Sequence, residues 1–275
     1  MTASTSYPPL MIRPVETVAE YRAVQQVQRR VWGITDESYL VPVATLISVQ
    51  HAGGLVLGAF QGERLVGFSF GYLGRVRGQW VLYSQLTGVE SGLQDGGVGG
   101  RLKEAQRGWA RAEGLALVVW TFDPLQAGNA RFNLHRLGAR CRTYYPDYFG
   151  ERTDALSAGL ESDRLLAEWP VEDAPRAWRG DTGEPLRLVA FDRERGTFGL
   201  ADAAELKRSV VAQLDIPPDL AALKGERPDV VRAWQAAVRA QCSAAFAAGY
   251  VAMDFVREPG ADARAYYVLR QPAER

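Results

Sequence analysis

Apolar positions along the chain switch between two periods, and the switches mark the elements. Residues 10–14 (Leu-Met-Ile-Arg-Pro) predict a short first strand. From Glu16 to Val31, the positions Tyr21, Val24, Gln28 and Val31 fall three and four apart, one face of a helix with Gln28 as a polar exception. Gly33 stops it. A second helix is predicted from Pro42, whose fixed φ suits a first helical turn, to about Gly53. Three strand-like runs follow, 54–61, 64–73 and 79–89, with turns at Gln61-Gly62-Glu63 and Arg75–Gly78, and together they predict an antiparallel meander.

A glycine-rich stretch, residues 92–100, then leads into a predicted helix. Its apolar stripe reads Val98, Leu102, Ala105, Trp109 and Ala112, with Arg101, Lys103, Glu104, Arg107 and Arg111 outside it. Gly114 is the expected C-cap. Residues 115–122 are continuously apolar, as in a strand buried on both faces. Asp123-Pro124 ends that strand, and a helix over about 126–137 follows. Residues 140–150 are rich in aromatics, and Arg164–Trp169 predicts another strand. Prolines, glycines and acidic residues between Pro170 and Pro185 mark the clearest linker.

Beyond it, 186–191 and 210–216 predict strands. Pro228 opens a helix with Val231, Trp234, Val238, Cys242 and Ala245 on one face, closed by Gly249, and 250–256 and 265–270 predict two more strands. A weak internal repeat is visible. Helix–Gly114–strand–Pro124 is echoed by helix–Gly249–strand–Pro259, and a strand with Gln-Leu precedes each helix (Gln85-Leu86 and Gln213-Leu214). The second copy has Pro217-Pro218 where the first has its glycines.

Composition narrows the function classes. The 275 residues suit one domain and a half or two small ones, and 47% hydrophobic with 23% charged residues fits an ordinary folded protein. Basic and acidic residues balance at 32 each, without the basic surplus that nucleic-acid binding usually requires. Two cysteines and two histidines exclude a Cys- or His-rich metal centre, so no metal is expected. No apolar run approaches the ~20 residues of a membrane span. With no signal-peptide-like segment at the N-terminus, a reduced cytoplasmic setting is the expectation.

The chemistry sits in residues 89–102. A strand, a glycine-rich turn and an amphipathic helix in that order present unpaired backbone N–H groups and the positive end of a helix dipole, a place for an anion. Gly99-Gly100-Arg101 departs from a Walker loop, which ends Gly-Lys-Ser/Thr, and Leu102 stands where a dinucleotide fingerprint from Gly97 needs glycine. What fits is Gln94-Asp95-Gly96-Gly97-Val98-Gly99, which resembles the Arg/Gln-x-x-Gly-x-Gly/Ala loop of the GNAT acyltransferases. The element order over residues 10–169 is also similar to that family. Leu-His-Arg-Leu-Gly-Ala-Arg (134–140), Tyr-Tyr-Pro-Asp-Tyr-Phe-Gly (144–150) and residues 154–164 resemble a bacterial two-part group within it.

The resemblance implies an α+β fold with a mixed sheet: an acyltransferase domain over 10–169, a linker over 170–185 and a smaller, degenerate GNAT-like unit over 186–275. It implies acetyl-CoA or another short acyl-CoA, succinyl included, as co-substrate. Gln94, Asp95, Gly96, Gly97, Val98, Gly99, Gly100 and Arg101 would hold the pyrophosphate, Val89 would lie beside the pantetheine arm, and Asn129 would reach the pantetheine or sulfur region. The acceptor would be a small amine such as an amino acid, attacking the thioester directly in a ternary complex. The assembly stays open, with a homodimer as one candidate. Where relatives carry an acidic tyrosine this chain has Leu134. Glu90 as base and Tyr144 as acid are the substitutes, against a solvated glutamate and a packed aromatic; His135 and Tyr145 or Tyr148 are further options, and Arg140, Arg142 and Arg164 could pair a carboxylate. The missing tyrosine also leaves open an acyl-CoA-binding or regulatory module without turnover.

Overall fold

The structure is a computed structural model that describes residues 9–94, 96–150, 160–172, 184–192, 197–260 and 263–272. The chain divides into two compact units: Met1–Trp120 with Pro170–Glu172, and Thr121–Trp169 with Asp173–Arg275. This division falls inside a strand rather than at the expected 170–185 linker, of which 173–183 lies outside the described residues.

In the first unit the strands β1 (Leu10–Pro14), β2 (Leu55–Gln61), β3 (Arg64–Val76), β4 (Gln79–Val89) and the start of β5 (Leu117–Phe122) lie side by side in that order. β2 to β4 form the antiparallel meander that their runs predict, β1 adds to β2 antiparallel, and β5 runs parallel to β4. The β3–β4 hairpin is longer than expected, because Arg77 and Gly78 both take positive φ and confine the turn to two residues.

Helix α1 (Val18–Trp32) opens on a capping box, Glu20 N–H donating to Thr17 Oγ1 while Glu20 Oε2 accepts from Thr17 N–H, and ends on Gly33 in the left-handed region. Its polar exception has a purpose. Gln28 is fully buried and its Oε1 accepts from the Val41 N–H, tying α1 to the chain that enters α2 (Val43–His51). Pro42 is the cap before α2, with extended ψ, rather than its first helical residue. Tyr21, Val24, Val27 and Leu46 pack with Val56, Phe60, Phe68 and Phe70 to form a core cluster of this unit.

Helix α3 (Val98–Ala112) packs against β1 to β4 with a face different from the predicted one. Val98, Leu102, Lys103, Gln106 and Ala110 are buried, while Ala112 is exposed. Leu102 and Ala110 set this face, and the two polar side chains between them are carried inside with it. Counting only apolar residues placed Lys103 outside.

The second unit orders its strands β7 (Arg164–Pro170), β6 (Arg140–Tyr145), β11 (Val251–Arg257), β12 (Ala265–Arg270), β10 (Val211–Ile216), β8 (Leu186–Asp192) and β9 (Thr197–Leu200). The helix expected over 126–137 is a short α4 (Ala127–Ala130) that widens into a π-helical turn over Arg131–Arg136. The short strand β9 and helices α5 (Ala203–Arg208) and α6 (Leu220–Glu226) were not foreseen. Helix α7 (Pro228–Ala247) begins on its proline and buries Val231, Trp234, Val238, Cys242 and Ala245, the predicted stripe. Among the described residues no helix is long and apolar enough to cross a membrane.

The two arms of the sequence repeat differ at their centres. In the first unit β4 and β5 are direct parallel neighbours. In the second, β12 is antiparallel to both β10 and β11 and lies between them.

Candidate functional site

The site is built from a fault in β4. Phe70 pairs with Leu86 and Gly71 with Ser84, so Gln85 is an extra residue on β4, a bulge. Gly71 is needed opposite it, since a Cβ there would stand 2.9 Å from the Tyr83 carbonyl oxygen. The bulge bends β4 and sharpens its twist. The ladder to β5 accordingly covers only Leu82↔Val118 and Tyr83↔Val119. Beyond those pairs the strands part, and β4 from Ser84 to Val89 has no ladder partner on its β5 side among the described residues.

That open edge leads into the loop. Glu90 N–H donates to the Val66 carbonyl at 3.0 Å and ends the strand. Two turns follow, Leu93 N–H to Glu90 O and Gly96 N–H to Leu93 O, and Gln94 Nε2 reaches back to the Val89 carbonyl at 3.2 Å. Gln94 thus braces the loop with its side chain. Gly97 caps α3 in the left-handed region with φ 74°, and it has no side chain to offer the helix. The bond from Arg101 N–H to Gly97 O starts the helical ladder, so the amides of Val98, Gly99 and Gly100 have no intrahelical acceptor. These are the N–H groups and dipole end that suit a phosphate oxygen. Arg101 itself extends to the Leu10 carbonyl at 2.8 Å, and the Val98 side chain is buried in the core. Asp95 lies outside the described residues.

Glu90, a candidate base, is buried and its two carboxylate oxygens are engaged. Arg30 meets Oε1 at 2.6 Å, and Arg64 bonds Oε2. To accept a proton it would have to release two guanidinium groups. The arrangement suits a strut that holds α1, β3 and the loop root together.

At the fork of β4 and β5 the structure places a group that the sequence reading missed. Lys103 is 4% exposed, and its Nζ donates to Ser84 Oγ at 2.8 Å and lies 3.7 Å from the centre of the Trp120 ring. Ser84 Oγ in turn donates to Gln106 Oε1 at 2.9 Å. Burial alone pulls the lysine down to about 7. The signal was present in the spacing: Lys103 and Gln106 sit three apart on the Leu102–Ala110 face. Apolar periodicity alone puts Lys103 on the solvent side, where lysine usually lies.

The remaining candidates belong to the second unit. Asn129 is exposed on α4, Leu134 is buried, and His135 Nδ1 is 3.0 Å from Asp254 Oδ1. The Tyr144 hydroxyl donates to Asp163 Oδ2 at 2.6 Å, and Arg239 grips the same carboxylate through Nε and Nη2. Burial, then the field of Cys242 and the bond to Asp163, pushes the Tyr144 phenol well above its ordinary range, which weakens it as an acid. Arg142 is paired with Glu168 at 2.8 Å. Tyr145 and Tyr148 pack on each other, with ring centres 5.1 Å apart. Of the resemblance-based residues, Val89, Gln94, Gly96, Gly97, Val98, Gly99, Gly100 and Arg101 form one continuous strand end, loop and helix start.

From β1 to β7 the chain runs strand, two helices, three strands, loop and helix, strand, helix, strands. This order resembles that of the GNAT acyltransferases. No protein-family model matches the sequence, and no curated protein matches it. Solved structures do. The ribosomal-protein-S18-alanine N-acetyltransferase from Escherichia coli is 17% identical, with TM-score 0.47 over 61% of this chain and 97% of its own. An acetyltransferase-type protein from Salmonella typhimurium, solved with its cofactor acetyl-CoA, is 18% identical, with TM-score 0.49 over 60% of this chain and 95% of its own. An N-acetyltransferase from Staphylococcus aureus Mu50 is 14% identical, with TM-score 0.48 over 60% and 99%.

Proposed function

We propose that the chain is a GNAT-type N-acyltransferase using a short acyl-CoA. The observation that carries this reading is the continuity of three features: an open β4 edge, a left-handed glycine cap, and the amides of Val98, Gly99 and Gly100, which have no intrahelical acceptor. A diphosphate would take those amides. An amide-containing arm would hydrogen-bond along the edge from Val89 toward Ser84, as an added strand does. A backbone N–H at the bulge would then face the thioester carbonyl and stabilise charge developing on its oxygen. A neutral amine attacks the carbonyl carbon, the C–N bond forms, and the C–S bond breaks with its electrons on sulfur.

In this reading the acyl group is acetyl or succinyl and the acceptor a small amine such as an amino acid. The acyltransferase region is 10–169. The region 186–275 is a degenerate second copy whose slot β12 fills, so one chain takes one donor. Asn129 is carried as a donor contact by the family resemblance alone. A cytoplasmic location and a homodimer rest on the sequence reading only.

Burial of Leu134 at the position of the family tyrosine favours a second reading, an acyl-CoA-binding module without turnover. Calorimetry with acetyl-CoA and succinyl-CoA tests the donor site, and thiol release over a panel of amines separates the two readings. Steady release with any amine contradicts the module.

A further inference from the structure

The Lys103 cluster holds more hydrogen-bond donors than acceptors. The ammonium carries three N–H groups and meets one hydroxyl and one ring face, and no ion pair reaches it among the described residues. Gln106 is fully buried, its Oε1 is used by Ser84, and its Nε2 has no acceptor among the described residues. A buried set of this kind is costly unless an acceptor, best an anionic one, completes it. The cluster also has a defined place. Ser84 and Trp120 are the first residues of β4 and β5 beyond their last paired positions, so Lys103 lies where the strands part.

Length brings the donor's sulfur to the same place. The pantetheine arm has roughly twelve backbone bonds between phosphate oxygen and sulfur, equivalent to about four residues of extended chain or about 13 Å. Four strand steps at about 3.3 Å each cover the same length. An arm that starts beside Val89 therefore ends beside Gln85, next to Ser84.

We propose that Ser84 is the catalytic group that meets the departing thiolate and that Lys103 is the positioning residue that supplies charge and proton through it. This rests on the acyl-CoA reading of the loop. As the C–S bond breaks, the Ser84 hydroxyl turns from Gln106 Oε1 to the sulfur and gives up its proton there, taking one from the Lys103 ammonium. The attacking amine loses its proton to water, from which Lys103 is recharged after the products leave. An acid that titrates near neutrality suits protonation of a thiolate, whose ordinary pKa is about 8.5. The pair takes the place of the absent tyrosine. The other ionisable neighbours do not compete: Glu104 is exposed, Arg107 Nε is bonded to the Val171 carbonyl, and Tyr83 stacks on Tyr72.

The test uses CoA itself bound to the full chain. The thiol is titrated by its ultraviolet thiolate absorbance in the wild type, Lys103→Met and Ser84→Ala, with CoA affinity measured in parallel by calorimetry. The wild type should ionise bound thiol at least about tenfold more readily than free CoA, the effect of a nearby cation. Lys103→Met should return the titration to that of free CoA or above, and Ser84→Ala should move it the same way. CoA binding with an unchanged titration in Lys103→Met overturns this inference and leaves the donor site standing. No CoA binding to the wild type overturns both.

Discussion

Lys103 Nζ stands 2.8 Å from Ser84 Oγ at the point where β4 and β5 separate, and the lysine has no carboxylate partner among the described residues. A buried ammonium held this way weakens the fold, and that cost is measurable apart from any catalysis.

Lys103→Met should raise the melting temperature. The folded chain binds this proton only below about 7, whereas an unfolded lysine binds it up to about 10.5. Between those values the unfolded state holds more protons, so this site makes stability rise with pH. The penalty is full below pH 7 and gone above pH 10.5, and its ceiling is on the order of 5 kcal/mol. The gain from methionine should therefore be largest at pH 6 and shrink steadily toward pH 10. Thermal melts of both proteins across that range check it; equal gains at both ends contradict it.

Arg239→Met should be among the more damaging single changes in the second unit. Among the described residues it leaves the Asp163 carboxylate, almost entirely buried, with the Tyr144 hydroxyl and the Asp147 amide as partners. Breaking a buried pair from one side costs about 3–5 kcal/mol. Arg239 is partly exposed, so the lower end is expected, read from urea denaturation. Tyr144→Phe should cost about 1 kcal/mol by removing one hydrogen bond. It should leave the pH profile of acyl transfer unchanged.

Glu90→Gln separates a strut from a base. Arg30 and Arg64 are both more than half exposed and regain water when the charge is lost. A stability loss of about 1 kcal/mol is expected, with turnover within a few-fold of wild type. A loss of a hundredfold or more in turnover, the size of a missing general base, would restore Glu90 to that role.

The loop and the elements around it are legible in the sequence because they depend on local chemistry: Gly33 ending α1, glycines clustered before α3, and apolar runs of strand length. The parting of β4 and β5 is not legible there. That depends on the register of Gln85 against Phe70 and Gly71, a property of paired strands that no single strand displays. The buried face of α3 differs from the apolar stripe for a related reason. Lys103 is inside because Leu102 and Ala110 fix the helix rotation, and the ring of Trp120 and the hydroxyl of Ser84 receive its ammonium. The π-helical turn at Arg131–Arg136 and the insertion of β12 between β10 and β11 are likewise outcomes of packing. Periodicity does not encode them.

Calorimetric titration of acetyl-CoA and succinyl-CoA reads out whether the loop from Gln94 to Arg101 holds the phosphates of an acyl-CoA. At least one should bind the wild type in the micromolar range. Gly97→Val forces a β-branched residue into a left-handed cap, and Gly99→Val sets side-chain bulk where a phosphate oxygen would approach the amides. Each should weaken that complex by at least about thirtyfold, or about 2 kcal/mol, in protein whose melting shows a folded state. Folded variants that bind the donor as tightly as wild type would show that the loop does not hold its phosphates.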